Sequence, residues 1–498
     1  MKTKLPKLLI LAQFVLLTLG SASTPLWAAA VSQNEFWVSA VANGSGPHAG
    51  TIADPFDGST RVLFDALFYP PGPTQLPANC TVHLLGGTFL TAGGSAGGFI
   101  LKTGQKIRGS GIDITTVKLD YASPGCVMQN VVLTDTGIEI SDLTVDANAQ
   151  NLGGNNTYDG IILNGSGSSA IRRVKVQGLA HGAQATETFG ILANDQGIAD
   201  RVVIEDCVMM PPVYGAVCTP ICVGGSARVS GNWIYGTNTT QVQAIGIGNT
   251  INTLVSGNHV LNAESAIRTE VGNTNLMVVN NSFRNVTVGV ELTANPAGLV
   301  NQNLYFAGNT FEMAYQANNY CIAFSQTAGG PLFINEKIIG NTIKAYGDVG
   351  PLTYAFSSDA TTNLIIADNS IDNRFLWNFA GCTNVILHDN VDLLGNFLSS
   401  TNQIELPNSL TRKSVTTLFY NVQNADRYIG VALSGAAVVL PPPSGMPGKE
   451  FIIADETGSG PVRISAPSGG INGQSMITVS GGYTSKTVTT DGNTWFAR

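Results

Sequence analysis

Charged residues are scarce in this chain. They are 12% of 498 residues, about half the ~25% of an average soluble protein. Lys and Arg number 25 against 33 Asp and Glu, and no basic stripe appears beyond the first few positions. A protein held to nucleic acid through phosphates needs such a stripe, so nucleic acid is excluded as a partner. Long apolar runs are missing too. None past the N-terminus reaches the ~20 residues that span a bilayer, so no membrane span is expected. The seven cysteines, Cys80, Cys126, Cys207, Cys218, Cys222, Cys321 and Cys382, are scattered through apolar stretches. Only Cys218 and Cys222 lie close, with no histidine beside them. A zinc site needs more ligands than that. The cysteines read as small buried hydrophobes, and no metal ligands are assigned.

The first thirty residues differ from the rest. Lys2, Lys4 and Lys7 precede a stretch from Leu8 to Leu19 that is apolar apart from Gln13 and Thr18, and Ala28, Ala29 and Ala30 follow. A positive start, a short apolar core and small residues make a secretory signal, with cleavage expected after Ala30. The core is too short for an anchor. The expected location is outside the cytoplasm: extracellular, periplasmic or on the cell surface.

What the chain has is glycine, 57 residues, asparagine, 42 residues, and 44% hydrophobic content. That is enough for a long core and excludes a disordered chain. These residues repeat. The segments ARVSGNWI, TLVSGNHV, MVVNNSF, LYFAGNTF, KIIGNTI, LIIADNSI and VILHDNV align on Asn232, Asn258, Asn281, Asn309, Asn341, Asn369 and Asn390, with steps of 26, 23, 28, 32, 28 and 21 residues. Such a period means a solenoid or a propeller. The units are β-branched with no helical periodicity, which selects stacked β-coils. Val229, Val255, Val278, Phe306, Ile338, Ile366 and Leu387 stand three residues before each Asn. Stacking would superpose them as one apolar column. Gly231, Gly257, Asn280, Gly308, Gly340, Asp368 and Asp389 stand immediately before it, the residue types that accept the left-handed backbone of a tight bend. The Asn amides are expected to bond along the axis as a ladder. A second strand per coil, beginning at Gly160, Gly190, Ala244, Ala266, Gly289 and Cys321, places Ile161, Ile191, Ile245, Ile267, Val290 and Ile322 inward. Its small residues are expected to face outward as a flat strip.

With the opening FWVSAVANGSGPHAGTIADPFDGST at 36–60, then VHLLGGTF at 82–89 and IRGSG at 107–111, the chain resembles right-handed parallel β-helix proteins of the pectate-lyase-like superfamily. The resemblance implies an all-β fold with three sheets, coils of about 20–30 residues and ligands on an exposed sheet face. Residues 57–69 are expected to form a short amphipathic helix, with Val62, Leu63, Leu67 and Phe68 apolar, capping the N-terminal end. The expected organisation is a signal at 1–30, the capped β-helix at 31–398, a linker at 399–413 and a small β-domain at 414–498. The last resembles the terminal β-domains of phage tail and tail-spike proteins, which implies attachment or assembly as a homotrimer. The alternative is an independent β-sandwich without a partner.

The superfamily resemblance implies a polysaccharide partner, cut by β-elimination with a basic residue and acidic ligands for Ca²⁺, or hydrolysed by paired carboxylates. The galacturonan hydrolase pattern is not met. Asn156-Thr157-Tyr158-Asp159 interrupts its first element, its Asp-Asp pair is absent, and Arg268-Thr269-Glu270 replaces its Arg-Ile-Lys. Position on the repeat offers a separate cluster. Arg268 and Glu291 share an outward column on adjacent coils, with Glu270 two residues along. Strands about 4.8 Å apart and about 6.6 Å per residue pair put Glu270 and Glu291 roughly 8 Å apart. That is a catalytic acid and base, with Arg268 beside them, or else a cross-strand salt bridge of Arg268 and Glu291. Asp159, His181 and Asp195, with Glu187, fall in the loops of two neighbouring coils and are assigned to substrate binding. Tyr158 either stacks on a sugar or packs its turn. Two functions follow: a secreted protein that binds or degrades a polysaccharide, or a non-catalytic surface scaffold.

Overall fold

The computed structural model describes residues 34–394, 404–405 and 411–497, apart from 45, 70–74, 153–155, 166, 181–186, 195–200, 214–216, 238–240, 270–271, 295–299, 315–319, 327–332, 348–353, 359–360, 373, 380–381, 424–425, 445–448, 457–460 and 481–483. The expected signal, His181, Asp195 and Glu270 therefore lie outside the described residues.

The fold is a right-handed parallel β-helix. One sheet has twelve strands, from Ile100–Leu101 to Ile404–Glu405, and another has twenty-four. A typical coil contributes one strand to the first and two to the second, as Gln241–Thr250, Leu254–Ser256 and His259–Leu261 do. The stack starts early: Glu35–Ser39 pairs in parallel with Thr81–Leu84. It also runs late, because Ile404–Glu405 pairs with Trp377–Asn378 inside the segment expected as a linker.

The asparagines form the expected ladder. All seven are buried, and each Nδ2 donates to the next Oδ1 at 2.8–3.0 Å. The same oxygens also accept the backbone N–H of the preceding Asn. The residue before each has positive φ, from 53° at Asp389 to 67° at Gly231. A buried amide thus satisfies both its own polar atoms and the bend's backbone. A second ladder was not anticipated. Asn252, Asn275, Asn303, Asn335, Asn363 and Asn384 bond coil to coil at 2.8–3.1 Å, exposed and at positive φ.

Two expectations need correction. The cap helix spans only Arg61–Asp65. It buries Phe64, and the following turn buries Leu67 and Phe68, while Val62 and Leu63 face outward. Rings decide this orientation: Phe64 and Phe68 pack on Phe99 at 5.2 and 4.0 Å, and burying aromatic area outweighs burying Val62. The small residues beginning the twelve strands are not a flat outward strip either. Gly160, Gly190, Ala244 and Ala266 are buried. A Cβ on Gly160 would lie 2.8 Å from Val176 Cγ1, and one on Gly289 would lie 2.8 Å from Phe311. The strand bends there, so two successive residues face the core and only small ones fit. The inward set Ile161, Ile191, Ile245, Ile267, Val290 and Ile322 is wholly buried as expected.

One core residue breaks the pattern. Glu336 occupies the row of Leu276, Leu304, Leu364 and Val385, all buried. Its Oε2 accepts from Leu304 N at 2.9 Å, and Oε1 has no hydrogen-bond partner. Burial holds its carboxyl well above the usual range. The folded chain then keeps a proton that the unfolded chain releases above about pH 4.5, so stability is lost as pH rises from there. Glu336→Gln keeps the acceptor and cannot ionise. Its melting temperature should exceed wild type by a few degrees at pH 8 and match it at pH 4; a loss at pH 8 would show that the carboxylate is stabilising.

The C-terminal strands make five- and four-stranded sheets around their own core, which includes Val438, Phe451, Ile453 and Trp495. Their first pairs are parallel, as in Asp426–Val431 with Glu450–Asp455, and their last antiparallel. All seven cysteines are free thiols, six buried and Cys222 half-buried. Among the described residues no helix is long and apolar enough to cross a membrane.

Candidate functional site

The outer face of the twelve-stranded sheet carries two rows of side chains. One runs through Cys126, Asp159, Phe189, Thr219, Gln243, Ser265 and Val288 to Tyr320, Tyr354 and Leu376. The other runs through Ile162, Leu192, Cys222, Gly246, Arg268 and Glu291. Tyr320 and Tyr354 stack at 5.6 Å. Cys126, Thr219, Gln243 and Ser265 are buried, so the open part of the face is the second row with Asp159, Phe189, Val288, the two tyrosines and Leu376, all half-buried, and its charge gathers at two centres.

The first centre is Asp159 with Glu187. Asp159 is on the strand Tyr158–Asn164, not in a loop as the sequence suggested. Its Oδ1 accepts from Phe189 N at 2.8 Å. Burial pushes its carboxyl up to about 7; the Phe189 amide opposes this, and the charge of Glu187 adds to it. Glu187 accepts from Thr219 Oγ1. Cys126 lies beside Asp159 in register, and its thiol is raised to about 11, chiefly by burial and also by the Asp159 charge. A thiol so held is protonated and unreactive at neutral pH. Tyr158 is fully buried, its hydroxyl donating to Leu152 O at 3.2 Å. It packs the turn and offers no face to a sugar.

The second centre is Arg268 and Glu291, side by side in register as the repeat predicted. Sequence reasoning missed a third member. Glu264, just ahead of the strand Ser265–Thr269, has its carboxyl raised by burial first, then by Glu291, against the lowering effect of Arg268. Nothing in the residue spacing marks it, because only the bend entering the strand brings it to this group. Of the small residues expected to face outward here, Gly246 does so, towards Thr219 and Cys222, whereas Gly289 faces the core.

Asp159 and Glu291 are five strands apart, about 24 Å at the usual spacing. Calcium, implied by the lyase branch of the resemblance, finds no fit here: among the described residues no three His, Cys, Asp or Glu side chains converge, and the acids of the second centre already have the Arg268 cation beside them.

No protein-family model matches the chain. No curated protein matches its sequence either. Solved structures do match in fold. DFA-IIIase from Arthrobacter chlorophenolicus A6, without its lid, aligns at 13% identity and a TM-score of 0.50, over 74% of this chain and 98% of that one. The A-module of the mannuronan C-5 epimerase AlgE4 from Azotobacter vinelandii aligns at 16% and 0.43, over 71% and 95%. A tailspike mutant of E. coli bacteriophage HK620, solved with a pentasaccharide, aligns at 13% and 0.46, over 78% and 74%. At such identities the likeness is one of fold.

Proposed function

We propose that the chain binds a polysaccharide along the outer face of the twelve-stranded sheet and hydrolyses it at Asp159 and Glu187. One observation carries this reading: a carboxyl held up to about 7 by burial, next to a second acid, on a long sheet face lined by half-buried apolar groups and two stacked tyrosines. Hydrolysis needs one carboxyl that keeps its proton and one that has lost it. Asp159 gives its proton to the glycosidic oxygen as the bond to the anomeric carbon breaks. Glu187, oriented by Thr219, takes a proton from the water that adds to that carbon. Glu264, Arg268 and Glu291 hold the chain some 19–24 Å away, Arg268 donating to sugar hydroxyls or to a uronate carboxylate.

The test is a reducing-end assay over neutral and uronate-containing polysaccharides. Because the acid must be protonated, the rate should fall as pH rises through about 7. Glu187→Gln should cost about 10²-fold or more in turnover. If no polymer is cut, the scaffold reading stands; if Glu187→Gln cuts as fast as wild type, the Asp159–Glu187 site is refuted. We further propose export, with the mature chain beginning at Val31, and a homotrimer assembled through the C-terminal sheets. N-terminal sequencing and a native mass measurement check these two points; a retained leader or a monomer would refute them.

A further inference from the structure

On the twenty-four-stranded sheet, away from the face just described, an aromatic side chain stands in solvent. Trp233 is 48% exposed, although a ring of that size is normally among the most buried on average. Its strand neighbour His259 stacks on one face, centroids 4.2 Å apart and planes at 18°. The exposed face is therefore the opposite one, turned towards the preceding coil. The residue there in register is Val208, and beyond it in the same row comes Lys175. Trp233 and Lys175 are thus two strand spacings apart, about 9.6 Å, with only a small side chain between them. The result is a notch over Val208 with the indole as its wall; on the far side stands Lys175, whose ammonium leans away from it, to Asp113 beside Thr144. Tyr235 extends the aromatic wall, its ring 6.4 Å from that of Trp233 and inclined at 21°.

The dimensions suit one kind of guest. A saturated ring stacked on the indole lies about 4 Å from it, so an opening of about 9.6 Å admits one ring against that single wall. A pyranose has C–H bonds on one face, which pack against the electron-rich face of an indole, and hydroxyls round its edge. At the rim, Lys175 Nζ meets Asp113 Oδ1 at 2.8 Å, and the Asp113 side chain is 67% exposed. That pair offers donors and acceptors together, as vicinal hydroxyls require, with its charges balanced. We infer that this notch is a second glycan-binding site, on a different face from the carboxylate centres, and that it takes a pyranose unit of a neutral polysaccharide. Nothing in this inference depends on the chain being a hydrolase.

The experiment uses the full chain in native affinity electrophoresis through gels containing galactomannan, xyloglucan or mixed-linkage β-glucan, with polygalacturonate as the charged comparison. At least one neutral polymer should retard the wild type. Trp233→Ala should weaken that retardation by about tenfold or more, and Asp113→Asn by a smaller factor, in line with losing a stacking ring and one hydrogen-bond acceptor. Val208→Phe should weaken retardation at least as much as Trp233→Ala while leaving Trp233 in place, because its ring fills the notch. That second variant keeps the test sound if removal of Trp233 perturbs the fold, which a thermal melt reports. Unchanged retardation in both Trp233→Ala and Val208→Phe would overturn the inference. So would a wild type retarded by none of the neutral polymers, or by polygalacturonate alone.

Discussion

Asp159→Asn should abolish turnover and, at pH 8, leave a protein more stable than wild type. The usual expectation for removing a surface carboxylate is a small change either way. Here the sign follows from the proton. In the folded chain the carboxyl holds its proton up to about pH 7, against a usual value of 3.8. Unfolding above pH 3.8 releases that proton, so its contribution is complete below that value and is lost as pH climbs to about 7. The shift corresponds to a penalty of roughly 2–4 kcal/mol at pH 8, the lower end allowing for the water that still reaches the group. The substitution keeps an oxygen to accept the Phe189 N–H and removes the ionisation. Denaturant unfolding should show the variant ahead by that amount at pH 8 and level with wild type near pH 3.5. A variant less stable at pH 8 would mean that the carboxylate is held by partners, and the acid assigned to Asp159 would be withdrawn. Gained stability with lost activity is the signature of a strained functional group.

What the sequence disclosed follows from what repeats. The buried ladder could be read because the same residue recurs at a fixed distance from an apolar column, and stacking turns that recurrence into contact. The exposed ladder was equally readable. Each of its members lies six residues before a member of the buried one, from Asn252 and Asn258 to Asn384 and Asn390, an interval that holds while the coil length varies. Orientation was harder. Strict alternation turns the residues beside Ile161 outward, and a bend in the strand instead places Gly160 against Val176. The proposed acid and base were not legible as such: those roles fell to Glu270 and Glu291, and Asp159 to substrate binding. Asp159 and Glu187 were placed in neighbouring coils, but the raised carboxyl comes from burial, which depends on everything packed around Asp159. The shared register of Arg268 and Glu291 needed only the repeat and was found. Recruiting Glu264 needed the shape of a turn and was not.

The same difference between repeated and local information governs the largest stability effect expected in the solenoid. Asn309 is 1% exposed. Its Oδ1 accepts from the backbone N–H of Asn281 at 3.0 Å and from Asn281 Nδ2 at 2.9 Å. Its own Nδ2 donates to Asn341 Oδ1 at 2.9 Å and to Val278 O at 2.8 Å. Leucine fits the volume and makes none of these bonds. The Asn281 N–H then loses the acceptor it has within the bend, and Val278 O loses a donor; water reaches neither. At about 1–3 kcal/mol for each buried group left unpaired, Asn309→Leu should cost roughly 2–5 kcal/mol. The control must preserve the backbone, because Asn303 in the exposed ladder sits at φ 57° and a side chain such as alanine would add strain of its own. Asn303→Gly removes the amide and keeps the conformation, so it should cost under about 1 kcal/mol. The two asparagines are six residues apart on the same coil and each bonds its counterparts above and below, so the comparison isolates burial. If unfolding gives equal losses for the two variants, the buried ladder is ornament on a fold held by its apolar columns alone. A large loss confined to Asn309→Leu would show that the amides hold the bend through which each coil turns from one strand to the next.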